Sequence, residues 1–279
     1  MTTIYAVAVG VADVRRDPDP TSELVTQALM NRPASVDEQY GDWTHVTLSD
    51  YTGWIQSDEL TDPPVRGFTR IGEYCATPLE LVAVVNETHT PLFHDLDGDE
   101  TQDTLYLSSV LPLLDTVSVE RVKVALPGEQ SGWISRDAIH IRQGQDCFPR
   151  RPVAAIIPYA RAFEGVPYLW GGTSWKGIDC SGFVQLCYRM GGYTLPRDAD
   201  QQHDALSHTV SRAHMQEGDL IFFGSQSITH VALALNNKEY IHAAGENYNR
   251  VVISSFDPAD SHYDQRLSDL VWAIKRVVD

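Results

Sequence analysis

The segment "GIDCSGFVQLCYRMGG", Gly177 to Gly192, puts a cysteine where a helix should begin. Phe183, Leu186, Cys187 and Met190 recur on one face at helical spacing, and Gly191-Gly192 stops the run. Cys180 is thereby expected at a helix N-terminus. Unpaired N–H groups and a positive local potential there favour thiolate over thiol, and the same N–H groups can hold the oxyanion of an acyl-transfer intermediate. Cys187, mid-helix among apolar residues, reads as core packing. A nucleophilic cysteine needs a base, and "ITHVALALNNKEYIHAAG" supplies His230 and His242 on either side of a hairpin turn centred at Asn236. That centre sets the two histidines opposite one another on adjacent strands, projecting from one face; a one-residue slip would part them. In the favoured register one imidazole takes the thiol proton and the other fixes its orientation and tautomer, the logic of a nucleophile–base–orienter triad.

The elements that must carry these groups follow from the pattern after Arg151. Pro152 suits a first helical turn, and Ile156, Tyr159, Ala160 and Phe163 keep helical spacing up to Gly165. A second helix starts near Cys180 and a third covers about 198–206. Then come "DLIFFG", "HVALALNN", "EYIHAAG", "VVISSF" and "LVWAIKRV", five strand-like runs. Helices followed by antiparallel strands make this part α+β.

The first half of the chain contains an echo. "GWIQSDEL" from Gly53 and "GWISRDAI" from Gly132 match in glycine, tryptophan, isoleucine, an acid and a closing apolar residue. Each ends a series of short, closely spaced strand-like runs, which predicts two small β-barrels in tandem. "TDPPVRGFTR" (61–70) and "GQDCFPRRP" (144–152) read as linkers. The expected domains are 1–62, 63–150 and 151–279. The insertion "HDLDGDETQD" alternates Asp95, Asp97 and Asp99, but the glycine falls between the acids and no glutamate closes a calcium loop, so a solvated acidic loop is expected and no metal site.

Taken together, "PYLWGGTSWKGIDCSGFVQ", "LPRDADQQ", "EGDLIFF", "THVALAL" and "YIHAAG" resemble the NlpC/P60 family of papain-like cysteine peptidases, over nearly all of 153–277 and in order. The resemblance implies Cys180 as nucleophile, His230 as base and His242 as the third polar residue. The two leading modules are similar to bacterial SH3 domains, and that layout resembles γ-D-glutamyl-L-diamino acid endopeptidases, which cut peptidoglycan stem peptides after L-Ala-γ-D-Glu. It implies that the first module walls one end of the cleft and that acids and a tyrosine read a free L-Ala amine. Tyr168 then lines the site, Ser181 contacts substrate and Asp198 reads the amine, with Tyr51 and Glu23 contributed by the first module. Trp170 is expected in the core. The family often has a serine after the amine-reading aspartate; Ala199 stands here, which removes one substrate hydrogen bond.

The resemblance implies no metal, no organic cofactor and no obligate protein partner. The substrate would be a murein peptide, L-Ala-γ-D-Glu-diamino acid, already released from glycan, as in cell-wall peptide recycling; whether the third residue is meso-diaminopimelate or lysine stays open. The formal charge of −17 over 279 residues disfavours nucleic acid and anionic membrane as partners. "MTTIYAVAVGVADVRRDPDP" has no basic n-region, so a cytoplasmic protein is expected, or an exported one whose leader is absent from this chain. Cys75, Cys147, Cys180 and Cys187 form no C-x-x-C pair; Cys75 and Cys147 could bond in an oxidising compartment, whereas free thiols suit a reducing one. Two rival functions are a cell-wall-binding protein with a dead catalytic domain, and an amidase or acyltransferase on the same scaffold.

Overall fold

Short runs with alternating burial build the amino-terminal half. β1 (Ile4–Val7), β2 (Val11–Arg15), β3 (Leu24–Leu29), β4 (Pro33–Tyr40), β5 (Trp43–Thr47), β6 (Thr52–Gln56) and β7 (Leu60–Thr61) pair antiparallel in the order β3-β2-β6-β5-β4-β1-β7. Ala12 and Val14 of β2 point into a core with Val7, Ala28, Ala34, Val46 and Ile55, while Val11, Asp13 and Arg15 face outward. A hairpin of β8 (Thr69–Ile71) and β9 (Tyr74–Ala76) follows. Next come β10 (Leu81–Val85), β11 (His89–Phe93), β12 (Thr101–Tyr106), β13 (Val110–Asp115), β14 (Arg121–Leu126), β15 (Gln130–Ser135) and β16 (Ile139–Gln143). Their order, β12-β11-β15-β14-β13-β10-β16, repeats that of the first sheet strand for strand.

The computed structural model describes residues 3–64, 69–71, 74–76 and 80–277, with side chains for 3–64 and 80–277. The side chain of Cys75, and hence any pairing with Cys147, lies outside the described residues. The chain divides into two compact units, Met1–Cys147 and Phe148–Asp279.

The Gly-Trp-Ile echo has a packing cause. It falls on β6 and β15, equivalent strands of the two sheets. A Cβ on Gly53 would stand 2.7 Å from the Arg15 carbonyl oxygen, and one on Gly132 would stand 2.8 Å from Leu92 Cδ1. Backbone thus excludes a side chain at Gly53, whereas at Gly132 the Leu92 side chain would have to shift to admit one. Ile55 and Ile134 are fully buried beside them.

Among the described residues no cluster of acids, histidines and cysteines could hold a metal. In the acidic loop the carbonyls of Asp95, Leu96 and Gly98 accept from one Arg121 nitrogen at 3.0, 2.9 and 2.7 Å, and the guanidinium stacks 3.6 Å from the Phe93 ring centroid. An internal cation thus closes the loop.

The second unit opens with a single 3₁₀ turn (Val153–Ile156) and α1 (Ile157–Ala162), which together fill the helix expected after Pro152. A two-stranded ribbon, β17 (Thr173–Ser174) with β18 (Gly177–Ile178), leads into α2 (Cys180–Met190). α3 (Ala199–Ala205), β19 (His208–Val210), β20 (Leu220–Gly224), β21 (Ile228–Ala234), β22 (Glu239–Ala244), β23 (Arg250–Ser255), α4 (Gln265–Asp269) and β24 (Val271–Arg276) complete it. The sheet order is β19-β24-β20-β21-β22-β23, antiparallel throughout. The whole is a mixed fold, strands first and α+β after. No helix of the described residues is long and apolar enough to cross a membrane.

Two expectations need correction. α2 is not a one-faced surface helix: every residue but Arg189 is buried, so its spacing reports a central helix rather than an amphipathic one. Trp170 is 61% exposed and not a core residue. It sits in a tight turn whose next residue, Gly171, has φ +76°, and the Gly172 N–H donates back to the Leu169 carbonyl, turning the indole outward.

Candidate active site

The cap of α2 fixes the cysteine. Asp179 is extended (φ −93°, ψ 176°) and its Oδ1 accepts from the Gly182 N–H at 2.7 Å, a side-chain N-cap. Cys180 is the first helical residue and 8% exposed. The N–H groups of Val231 and Ser181 face its sulfur and favour the thiolate. Burial opposes them and, with the Asp179 carboxylate, pushes the thiol up to about 12. The helix terminus alone therefore does not leave a resting thiolate, contrary to the expectation from position: desolvation outweighs the dipole. Cys187, fully buried in the same helix, is raised by burial alone and behaves as core.

Val231, whose N–H faces the sulfur, immediately follows His230 on β21. The register of β21 with β22 runs Leu233↔Ile241 and Ala234↔Tyr240, so the turn is centred one residue later than expected. Continued along the strands, it sets His230 diagonal to His242 rather than opposite. A two-residue displacement keeps both on one face. His230 Nε2 lies 2.8 Å from His242 Nδ1, the ring centroids 4.9 Å apart and the planes at 76°. His242 is 1% exposed, and its Nε2 lies 3.1 Å from Ser254 Oγ on β23. In one set of tautomers that these contacts allow, His230 Nε2–H donates to His242 Nδ1 and His242 Nε2–H donates to Ser254. Nδ1 of His230 is then the nitrogen left to accept a proton. Burial lowers His230 to about 4, with Arg266 adding to the effect, and lowers His242 well below its ordinary value. Burial thus favours the neutral form of the Cys180 thiol and of both imidazoles.

Burial raises the Tyr168 phenol, and the neighbouring Cys180 sulfur adds to the effect, so it stays a donor. Its ring rests on Gly245, where a Cβ would stand 3.0 Å from Tyr168 Cε1. The Ser181 hydroxyl turns into the cap network, 3.2 Å from Asp179 Oδ1 and accepting from Arg197 at 3.0 Å. Asp198 occupies the N-cap position of α3 without a side-chain capping bond; Gln201 Nε2 lies 3.4 Å from its Oδ2. Tyr51 and Glu23 belong to the first unit. Tyr51 packs half-buried on its core, and Glu23 pairs with Arg16 at 2.7 Å.

Sequence reasoning missed Arg197, Ser254 and Gly245. Arg197 is 1% exposed and grips Asp179 with two nitrogens, at 3.0 and 2.6 Å. The signal for it was the charged residue inside "LPRDADQQ"; two buried glutamines, Gln202 of that segment and Gln185 of α2, also turn out to be structural: Gln185 Nε2 donates to the Leu195 carbonyl, and Gln202 Nε2 to those of Ser181 and Pro196.

Comparison with known proteins places the chain among its relatives. Residues 165–269 match the NlpC/P60 family, and residues 14–60 match the bacterial dipeptidyl-peptidase Sh3 domain. A γ-D-glutamyl-L-lysine dipeptidyl-peptidase of Bacillus cereus is 31% identical over 239 residues, covering 80% of this chain and 68% of that protein. Dipeptidyl-peptidase 6 of Lysinibacillus sphaericus is 26% identical over 279 residues, covering 95% and 96%. The crystal structure of an NlpC/P60 family protein from Bacillus cereus has the same fold, with a TM-score of 0.84, 23% identity, and coverage of 98% and 99%. Both sequence and fold are shared well beyond the few residues around the cysteine, and the chain belongs to the NlpC/P60 family.

Proposed function

We propose that this chain is a cysteine peptidase that hydrolyses the γ-D-glutamyl–diamino acid bond of peptidoglycan stem peptides, on a papain-like catalytic unit. The observation that carries the proposal is Cys180 at the mouth of α2, met by the N–H of Val231, the residue next to His230, together with the His230–His242–Ser254 chain on the sheet. His230, neutral because it is buried, accepts the Cys180 proton as the sulfur attacks the γ-carbonyl carbon of D-Glu. The Cys180 N–H at the helix terminus and the Tyr168 hydroxyl donate to the oxyanion. The tetrahedral intermediate collapses, the C–N bond breaks, and His230 returns the proton to the departing amine. Water, deprotonated by His230, then opens the thioester and releases L-Ala-D-Glu.

The names of the two γ-D-glutamyl-L-lysine dipeptidyl-peptidases among the relatives favour L-lysine as the residue that leaves. Asp198, at the start of α3, is the group of the second unit we assign to a free L-Ala amine. Such a requirement restricts the enzyme to peptides already cut from glycan, which suits recycling in the cytoplasm. The test is release of L-Ala-D-Glu from L-Ala-γ-D-Glu-L-Lys and from its N-acetylated form. Wild type is expected to cleave the free tripeptide and Cys180→Ala neither. Equal rates on the free and acetylated forms would overturn the amine requirement, and absence of dipeptide would overturn the peptidase.

A further inference from the structure

An acidic residue beside a sulfur that must become an anion is an electrostatic liability, yet Asp179 precedes Cys180. Capping does not require an acid, because a serine or threonine hydroxyl can accept from the first turn. The structure shows what the acid adds. Asp179 Oδ1 accepts from the Gly182 N–H at 2.7 Å, and Oδ2 accepts from the Gly171 N–H at 3.0 Å, so one side chain ties the start of α2 to the Gly171-Gly172 turn that follows Tyr168. A serine or threonine offers one oxygen where the carboxylate offers two.

We propose that Arg197 is the positioning residue that makes this acid tolerable: it clamps Asp179 in the two-sided cap and cancels its charge at the sulfur, so that Cys180 can ionise during attack. The proposal rests on Cys180 being the nucleophile. Arg197 meets both carboxylate oxygens and the Ser181 hydroxyl from a fully buried position. Gln185 and Gln202 hold its segment against α2 through the Leu195 and Pro196 carbonyls, so the guanidinium is delivered rigidly. Too enclosed to meet substrate, it acts through Asp179. The sulfur is faced by Asp179 from its own helix start, Arg197 from the segment before α3, Tyr168 from the preceding loop and, from β21, the Val231 N–H next to His230. Arg266 of α4 acts one step away, on His230 and His242. Of these, Arg197 is the cation whose effect on the sulfur favours the thiolate, and Asp179 the carboxylate whose effect opposes it.

The experiment is the rate of Cys180 carboxamidomethylation by iodoacetamide across a pH series, with the modified cysteine assigned by peptide mass spectrometry. Arg197→Met leaves the Asp179 charge unbalanced and is expected to slow Cys180 by about tenfold or more near neutral pH, since a neighbouring charge moves a pKa by roughly one to three units. Arg197→Lys keeps the charge and is expected to restore most of the rate. Asp179→Asn is expected to move the rate the other way, to or above the wild-type value. A network that was merely structural would slow Cys180 in both Arg197→Met and Asp179→Asn, and that pattern overturns the proposal, as does an unchanged Arg197→Met. Should Arg197→Met fail to fold, Asp179→Asn decides alone: slower modification than wild type refutes the charge argument. The reagent needs no substrate, so a wild type that follows this sign pattern yet leaves the tripeptide intact would sink the proposed function and leave Arg197 in place.

Discussion

Burying two neutral imidazoles makes the second unit's stability depend on pH in a direction that can be worked out. His230 is lowered from 6.5 to about 4 by desolvation, with Arg266 opposing its charge as well. The unfolded chain therefore binds more protons than the folded one between those values, and stability must fall as pH falls through that window. Above about pH 6.5 the contribution is complete, and near pH 4 it is lost. The difference of about two and a half units corresponds to about 3 kcal/mol from His230. His242, shifted in the same direction and 2.8 Å from His230, adds to the loss but resists charging once its neighbour is charged. The perturbation is acidification from pH 7 to pH 4. The control is a His230→Asn, His242→Gln double variant, which keeps polar groups at both places and cannot titrate there. Urea unfolding read by pulsed hydrogen exchange of α2 and β20–β22 reports on the second unit by itself. Wild type is expected to lose about 3 kcal/mol more than the control across that range. Equal losses would mean that carboxylate protonation, common to both proteins, accounts for the acid sensitivity and that the imidazoles are not held neutral by burial.

The same depressed base sets activity. A catalytic imidazole must be neutral to accept the thiol proton, so the acid limb of kcat/KM for tripeptide hydrolysis is expected near pH 4 to 5, well below the ordinary histidine value; a limb at about 6.5 would contradict it. Tyr168→Phe removes an oxyanion donor and should lower kcat by about 10²–10³ with little change in KM. Gly245→Ala, whose Cβ would stand 3.0 Å from the same ring, should reproduce part of that loss through kcat rather than KM, and an unchanged kcat in both variants removes Tyr168 from the chemistry. In the first unit, Arg121→Ala strips the donor from three loop carbonyls and is expected to cost about 1–3 kcal/mol in urea unfolding, with faster amide exchange confined to 95–99; no change in exchange would refute the internal-cation account.

What could be read from the chain, and what could not, divides by range of interaction. Cys180 at a helix start followed from local pattern, because an aspartate cap and apolar spacing lie within one short segment. The shared face of His230 and His242 followed from strand parity. Its detail was displaced because Asn236 Oδ1 accepts from the Lys238 and Glu239 N–H groups, at 2.8 and 2.9 Å, and carries the turn one residue further. Ser254 was invisible, since its place beside His242 depends on the β22–β23 register across a loop with left-handed Asn247 and Asn249. Arg197 was invisible for a different reason: a lone arginine in a Pro-containing loop reads as solvated, and only the fold brings it to an aspartate 18 positions away. The repeated strand order of the first unit was foreshadowed by Gly53 and Gly132, which stand on equivalent strands in close contact with their neighbours.

The most direct test is acid-quenched, early-time mass spectrometry of the enzyme mixed with L-Ala-γ-D-Glu-L-Lys, followed by mapping of the adduct. A thioester-linked L-Ala-γ-D-Glu on the peptide containing Cys180 is predicted, absent from Cys180→Ala and accumulating less in His230→Asn. Release of dipeptide with no acyl group on Cys180, or release by Cys180→Ala at the wild-type rate, would contradict the account.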